Sequence, residues 1–368
     1  MPKYKFTEIA INSTEKKKPT EADKDTYIGL EHLDSGTLTV SRWGADVAPI
    51  GEKLIMKKGD VLFGKRRAYQ KKVGIAPFDG IFSAHGMVLR PRENVITKEY
   101  FPLFISSDYF LNEAIRISVG SLSPTVNWKD LKELEFFIPT IEEQRRITPL
   151  VWAAIETKNA YKTLISRTDD LVKSQFIEMI AQSDRTNCLG DFIKRITPQR
   201  CGNRNLPVLS VTKERALVFQ EERFDSTVAS KDKCNYLIAP RGVIVQGIHI
   251  DEANFGLQTL VDEGIVSPAY KLWAIISNDV VPEILEFYLR SDTAIDYYKR
   301  KFQGTTVARR QTLRAEDFLA MPLNLPEIHK QKWFLQFMQQ SDKSKFELQE
   351  SIARIDNLIK SLIQQDSE

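Results

Sequence analysis

The strongest constraint on this fold is a repeat: one long amphipathic stretch occurs twice at a fixed distance. Residues 139–180 read PTIEEQRRITPLVWAAIETKNAYKTLISRTDDLVKSQFIEMI. Thr140 and Glu143 stand in the S/T-x-x-E relation of a capping box, which satisfies backbone N–H groups in the first turn of a helix. Ile147, Ala154 and Tyr161 recur every seven residues, as do Leu164 and Leu171, and Val151, Ile165, Val172 and Met179 keep the same period apart from Lys158. The spacing predicts one helix with a long apolar stripe, tolerating Pro149 because it falls near the start. At about 1.5 Å per residue it reaches roughly 60 Å, too long to cover one small domain. Aligning Leu325–Phe334 (LPEIHKQKWF) on Ile138–Ile147 (IPTIEEQRRI) pairs Pro326 with Pro139, Ile328 with Ile141 and Gln331 with Gln144, an offset of 187 (331 minus 144). Without a gap, that offset lays Ala353–Ser361 on Ser166–Ser174 and matches Arg, Asp, Leu, Lys and Ser. Such persistence marks a duplication, so the chain folds as two similar halves.

The composition, 368 residues with 42% apolar and 27% charged, is enough for two domains with real cores. No apolar run approaches membrane-spanning length and MPKYKFTEIA has no signal-peptide core, so the expectation is a cytoplasmic protein without membrane contact. Cys188, Cys201 and Cys234 are odd in number and lack any C-x-x-C pairing, which argues for plain thiols and against a disulfide framework or a zinc site. The net charge of +3 says little, but its distribution says more. Lys53, Lys57, Lys58, Lys65, Arg66, Arg67, Lys71 and Lys72 face the single acid Asp60 between positions 53 and 72. The second half carries Lys194, Arg195, Arg200 and Arg204, then Lys299, Arg300, Lys301, Arg309, Arg310 and Arg314 with no acid from 299 to 314. Any one such run is explained as well by a solvated face. One basic concentration per half is what a polyanion bound by both halves requires.

Residues 1–138 read as a mixed α/β domain with strands at Thr26–Leu30, Leu38–Val40, Asp60–Phe63, Lys72–Ala76 and Gly86–Leu89. Residues 99–117 form a helix with an aromatic inner face, followed by the loop SVGSLSPTV, a short helical turn capped by Asn127, and a strand over Leu134–Pro139. Residues 188–326 repeat the order: Gly242-Val-Ile-Val answers Gly59-Asp-Val-Leu, Gly264-Ile-Val-Ser answers Gly80-Ile-Phe-Ser, Glu283–Lys301 answers Glu99–Ile117, and Gly304-Thr-Thr stands where Gly120-Ser-Leu stood. The fold class is α/β (α+β), duplicated: two globular domains, each followed by a long helix, the helices pairing as an antiparallel coiled coil with pseudo-two-fold symmetry. The boundaries are 1–140 and 183–326 for the domains, 141–182 and 327–366 for the helices.

Catalytic motifs are missing. Gly59-Asp-Val-Leu-Phe-Gly-Lys-Arg misses the phosphate loop because Arg66 replaces the hydroxyl that would hold magnesium. Ser267-Pro-Ala-Tyr misses the amino-methyltransferase tetrad because Ala269 replaces its second proline. There is no G-x-G-x-x-G or nucleophile elbow, and His32, His85, His249 and His329 are scattered.

Two variable α/β halves, each with a loop of the VGSLSP or QGTTVARRQ type, a strand ending in Pro and an E-E-Q-R-R-I helix, resemble the specificity subunit of type I restriction-modification enzymes along the whole chain. The second copy departs from the pattern at His329, Lys330 and Trp333. The resemblance implies a non-catalytic DNA reader. Each globular half would be a target recognition domain for one half of a split asymmetric site in double-stranded DNA. The long helices would be spacer and docking surface for two methyltransferase subunits and a restriction and translocase subunit. S-adenosylmethionine, ATP and magnesium would sit on those partners, with no cofactor or metal in this chain. Candidate DNA contacts are Lys65, Arg66, Arg67, Lys71, Lys72, Arg195, Arg200, Arg204, Arg309, Arg310 and Arg314. Candidate seam and partner residues are Gln144, Tyr161, Leu164, Leu171, Val172, Gln331, Leu348, Ile355, Leu358 and Ile359. Three alternatives stay open: a coiled-coil scaffold without sequence-specific DNA binding, a subunit of a methylation-only system, and an enzyme with a hidden site.

Overall fold

The structure, a computed structural model, describes residues 2–183, 185–213, 216–223, 233–302 and 313–364. The chain divides into two compact units, Met1–Leu164 with Glu347–Glu368, and Ile165–Phe346. Each unit thus combines one globular part with part of both long helices.

The duplication expected from the sequence holds strand by strand in one sheet of each unit. In the first unit Ala10–Ser13, Met87–Pro91, Val61–Phe63 and Val73–Ile75 form an antiparallel sheet in that order. In the second, Ile193–Arg195, Lys271–Ile275, Val243–Gln246 and Phe255–Leu257 form a sheet of the same order and sense. The turn into each third strand needs a left-handed residue, and Gly59 (φ +90°) and Gly242 (φ +87°) supply it without a Cβ penalty. A second sheet of Lys16–Lys17, Lys53–Met56, Gly80–Phe82 and Tyr27–Ile28 completes the first unit. Its counterpart is the pair Leu237–Pro240 and Glu263–Val266. Val61, Leu62 and Phe63 are all buried, because that central strand is covered on both faces. Phe6, Phe63, Phe104, Phe110 and Phe136 fill the first core with tilted and edge-on ring contacts.

Three local expectations change. Leu38–Val40 is not a strand; Thr39 makes one isolated bridge to Ile75. Residues 99–117 form two helices, Phe101–Ser106 and Asp108–Arg116, broken where the Ser107 hydroxyl accepts from the Phe110 amide at 3.3 Å. Glu283–Lys301 breaks likewise into Pro282–Leu289 and Asp292–Phe302, with the Ser291 hydroxyl accepting from the Ala294 amide. In both copies a serine N-cap satisfies donors that a straight helix would have used internally, so the chain turns to keep its aromatic face on the core.

The long helices run over Ile141–Ala181 and Ile328–Gln364. Half of the capping box forms: the Glu143 amide donates to the Thr140 hydroxyl at 3.3 Å. The Glu143 carboxylate is instead held by Arg146, which also keeps it below its ordinary pKa. Gln144 and Gln331 are fully buried. The Gln144 amide oxygen accepts from the Thr97 N–H, and its NH2 donates to the carbonyls of Val95 and Pro139, at 2.7–2.9 Å. Gln331 does the same to Val281, Asp279 and Pro326, at 2.7–2.9 Å. These two glutamines, expected on the helix seam or a partner surface, are internal locks that fasten each helix start to its own domain.

Within each unit the helices pack antiparallel. In the first, Ile147 and Val151 are buried, and Ile155 from one helix and Ile359, Leu362 and Ile363 from the other pack against the same core. Lys158 bridges Asp356 at 2.7 Å. In the second, Val172, Phe176 and Met179 are buried with Phe334, the rings of Phe176 and Phe334 lying 5.4 Å apart. Lys345 bridges Asp169 at 2.7 Å. Adding the repeat offset of 187 to Lys158 and Asp169 gives Lys345 and Asp356, so the two ion pairs are copies of one contact.

The seam differs from the sequence expectation. Leu164, Leu171 and Leu358 are about half exposed, at 49%, 50% and 51%, and lie outside the buried rows. Tyr161, Leu348, Ile355 and Ile359 are partly exposed, and Val172 alone of the ten is a buried seam hydrophobe. A straight helix drifts about 20° per heptad, and the core-facing rows 147-151-155 and 172-176-179 follow three- and four-residue steps toward two different cores.

Candidate nucleic-acid interface

The buried strand Val61–Phe63 ends at Gly64, and the chain emerges as Lys65-Arg66-Arg67. Ala68 is buried and pins the next turn, Ala68–Gln70, which is bracketed by two left-handed residues, Arg67 (φ 57°) and Lys71 (φ 50°). Each costs on the order of 1–2 kcal/mol for a residue with a Cβ, strain held by the hydrogen bonds around it. Those bonds tie the basic turn to two other loops. The Arg66 amide donates to the His85 carbonyl at 3.2 Å, the Arg67 amide to Pro124 at 2.7 Å, and the Val126 amide to Lys65 at 2.9 Å. At side-chain level Arg66 Nη1 approaches His85 Nε2 at 3.4 Å, and Arg67 Nε donates to the Ser123 hydroxyl at 3.4 Å.

The electrostatics identify a shared positive field. His85 is held below its ordinary pKa first by burial, then by Arg66, Lys65 and Lys53. Lys65 is held below its own by burial and then by Lys16. None of Lys16, Lys53, Lys65, Arg66 and Arg67 has a carboxylate partner among the described residues. No carboxylate therefore neutralises this charge locally, which favours phosphate contacts, and the two exposed arginines carry the planar donor fork that reads guanine edges.

The other basic candidates separate by partner. Lys71 is bound to Asp108 at 2.6 Å and lines a groove with Lys158 and Asp356. Lys72 turns inward and donates to the Leu30 carbonyl at 2.7 Å. In the second unit Arg204 pairs with Glu263, and Arg314 with Asp317 at 2.8 Å. Arg200 is exposed and donates to the Asn235 side chain, and exposed Arg195 depresses the pKa of Lys271, which burial lowers most. Arg309 and Arg310 lie outside the described residues. His85, Lys16, Ser123 and the tip of the 119–125 loop were missed, because only tertiary structure brings them beside Arg66 and Arg67.

No group of three or more His, Cys, Asp or Glu among the described residues is placed to hold a metal ion. None of the described helices is long and apolar enough to cross a membrane.

Fold and surface together define a duplicated α/β protein with two long helices and a basic, loop-built face on its first unit. Residues 6–157 match the family described as type I restriction modification DNA specificity domain. It is similar to the type I restriction enzyme EcoDI specificity subunit of Escherichia coli, 24% identical over 176 residues, 46% of this chain. The match spans about two fifths (39%) of that protein's length. The fold is similar to a chain solved in work on complex assembly and conformational transition of the type I R-M system, with a TM-score of 0.61, 16% identity and coverage of 99% and 96%. It is also similar to the type I restriction-modification S subunit of M. genitalium, with a TM-score of 0.54, 13% identity and coverage of 98% and 95%.

Proposed function

We propose that the chain is the non-catalytic sequence-specificity subunit of a type I restriction-modification system. Each globular part reads one half of a bipartite asymmetric site in double-stranded DNA. The long helices dock methyltransferase subunits, which bring S-adenosylmethionine, and a restriction subunit that uses ATP and magnesium. The observation that carries the DNA-reading part is the cluster of Lys16, Lys53, Lys65, Arg66 and Arg67, positive and without carboxylate partners, on the domain the specificity family matches. A scaffold needs no such field; a reader does, because phosphate contacts set register before base edges are read.

The test is a salt titration of duplex binding by the full chain. Binding should fall linearly in log affinity against log salt, and Arg66→Glu with Arg67→Glu should lower affinity and flatten the slope by about 0.9 per lost phosphate contact. Salt-independent binding, or an unaltered slope in the double variant, removes this reading. Methyl transfer should need added partner subunits, and transfer by the purified chain alone would assign it catalytic work.

A further inference from the structure

The loop 119–125, Val-Gly-Ser-Leu-Ser-Pro-Thr, exposes two apolar side chains, Val119 at its base and, more fully, Leu122. Leu122 is 91% exposed at its tip. The loop is nevertheless closed and braced. Val119 and Thr125 exchange both backbone hydrogen bonds, at 3.0 and 2.9 Å, and the Thr125 hydroxyl donates to the Ser123 carbonyl at 3.0 Å. Gly120 takes φ +121°, a conformation that residues with a Cβ rarely adopt, and this lets the chain turn back so tightly. Its base is bonded to the basic turn through Arg67 to Pro124 and Val126 to Lys65, and the Arg67 side chain reaches Ser123. The molecule therefore presents a leucine on a braced loop whose base is bonded to a turn of cations without carboxylate partners.

From this geometry we infer that Leu122 is an apolar wedge. It enters the groove of a DNA duplex and inserts between two base pairs while Arg66, Arg67 and Lys65 hold the flanking phosphates. The inference rests on the DNA-reading proposal and adds the residue and mode of contact. Charge complementarity selects the occupant, since a polyanion is what an unpaired cluster of lysines and arginines attracts, and inside its phosphate rails a projecting apolar tip meets stacked bases. Side chains such as leucine are known to unstack base steps in this way and to kink the duplex. Bracing is what a wedge requires, because a floppy tip would lose in ordering what it gains in burial. The second half has Thr306 where Leu122 stands, by the alignment of Gly304-Thr-Thr on Gly120-Ser-Leu, although residues 303–312 lie outside the described part. The wedge is thus a property of the first half-site.

The experiment uses the full chain and duplexes it enriches from a randomised pool of DNA. Single 2-aminopurine substitutions are scanned through the enriched site, and affinity is measured in parallel. The wild-type chain should raise fluorescence at one step, and Leu122→Ala should abolish the rise and weaken binding by roughly tenfold or more, the worth of burying one leucine side chain. Leu122→Met should restore both. Wild-type affinity and an unchanged fluorescence step in Leu122→Ala would overturn the wedge while leaving the DNA-reading proposal intact. So would a loss of affinity reproduced by replacing one thymine with uracil, which means a methyl contact. No enrichment by the wild-type chain would overturn both.

Discussion

Replacing Gln144 by Ala removes a side chain that satisfies three backbone groups in a fully buried place: the Thr97 N–H and the carbonyls of Val95 and Pro139. The net value of three ordinary hydrogen bonds is about 3 kcal/mol. Leaving buried backbone groups unpaired costs about 1–3 kcal/mol each, so the loss in the first unit should be about 3 kcal/mol or more. Gln144→Glu separates hydrogen bonding from size. A carboxylate cannot donate to Val95 and Pro139, so its folded pKa is raised above the unfolded value near 4.3. Because the folded state favours the neutral acid, this variant should lose stability as pH rises through that unfolded value and keep losing it until the folded pKa is passed. The assay is urea unfolding combined with hydrogen exchange read at the Thr97 amide, since a two-unit chain has no single unfolding free energy. Thr97 exchange and unfolding midpoints equal to wild type in Gln144→Ala would refute the lock. Gln331→Ala should reproduce the effect at the Val281 amide and leave Thr97 protected.

Three further outcomes follow from the structure. Leu171→Asp, which a heptad reading of the stripe would make severe, should cost below about 1 kcal/mol because Leu171 is half exposed, whereas Phe176→Ala should cost about 3–5 kcal/mol; unfolding midpoints decide. Lys158→Asp should lower the melting temperature and Asp356→Lys should partly restore it, with a coupling of about 0.2–1 kcal/mol given the half-exposed partner; additive losses in the cycle would count against the pair. Asp23, bound by Lys17 and by the Thr20 amide and hydroxyl, has its pKa lowered from 3.8 to about 2, so its contribution is present above pH 3.8 and is lost as pH falls toward 2. Asp23→Asn should flatten that acid limb in a pH series of melting curves.

The 187-residue offset carries the duplication in the sequence alone, and with it the two long helices, because local periodicity and caps are written in consecutive residues. Gln144 was legible as a repeated residue and illegible as a lock: its partners, Val95 and Thr97, are distant in sequence, and burial of a polar side chain leaves no periodic trace. The same limit applies to the stripe. Heptad spacing located an apolar face without saying that each helix serves two cores, and Leu164, Leu171 and Leu358, placed in the seam, stand about half exposed. Charge runs located the basic segments, but availability depends on pairing. Lys71, Arg204 and Arg314 have acidic neighbours in space that their sequence neighbourhood only partly shows, and Lys16 and His85 join Arg66 only through folding. The sequence by itself determined the repeat, the helices and the sign of the charge. Tertiary structure decided which charges stand free and which glutamines face inward, because pairing and burial are set by residues that meet only when distant segments pack.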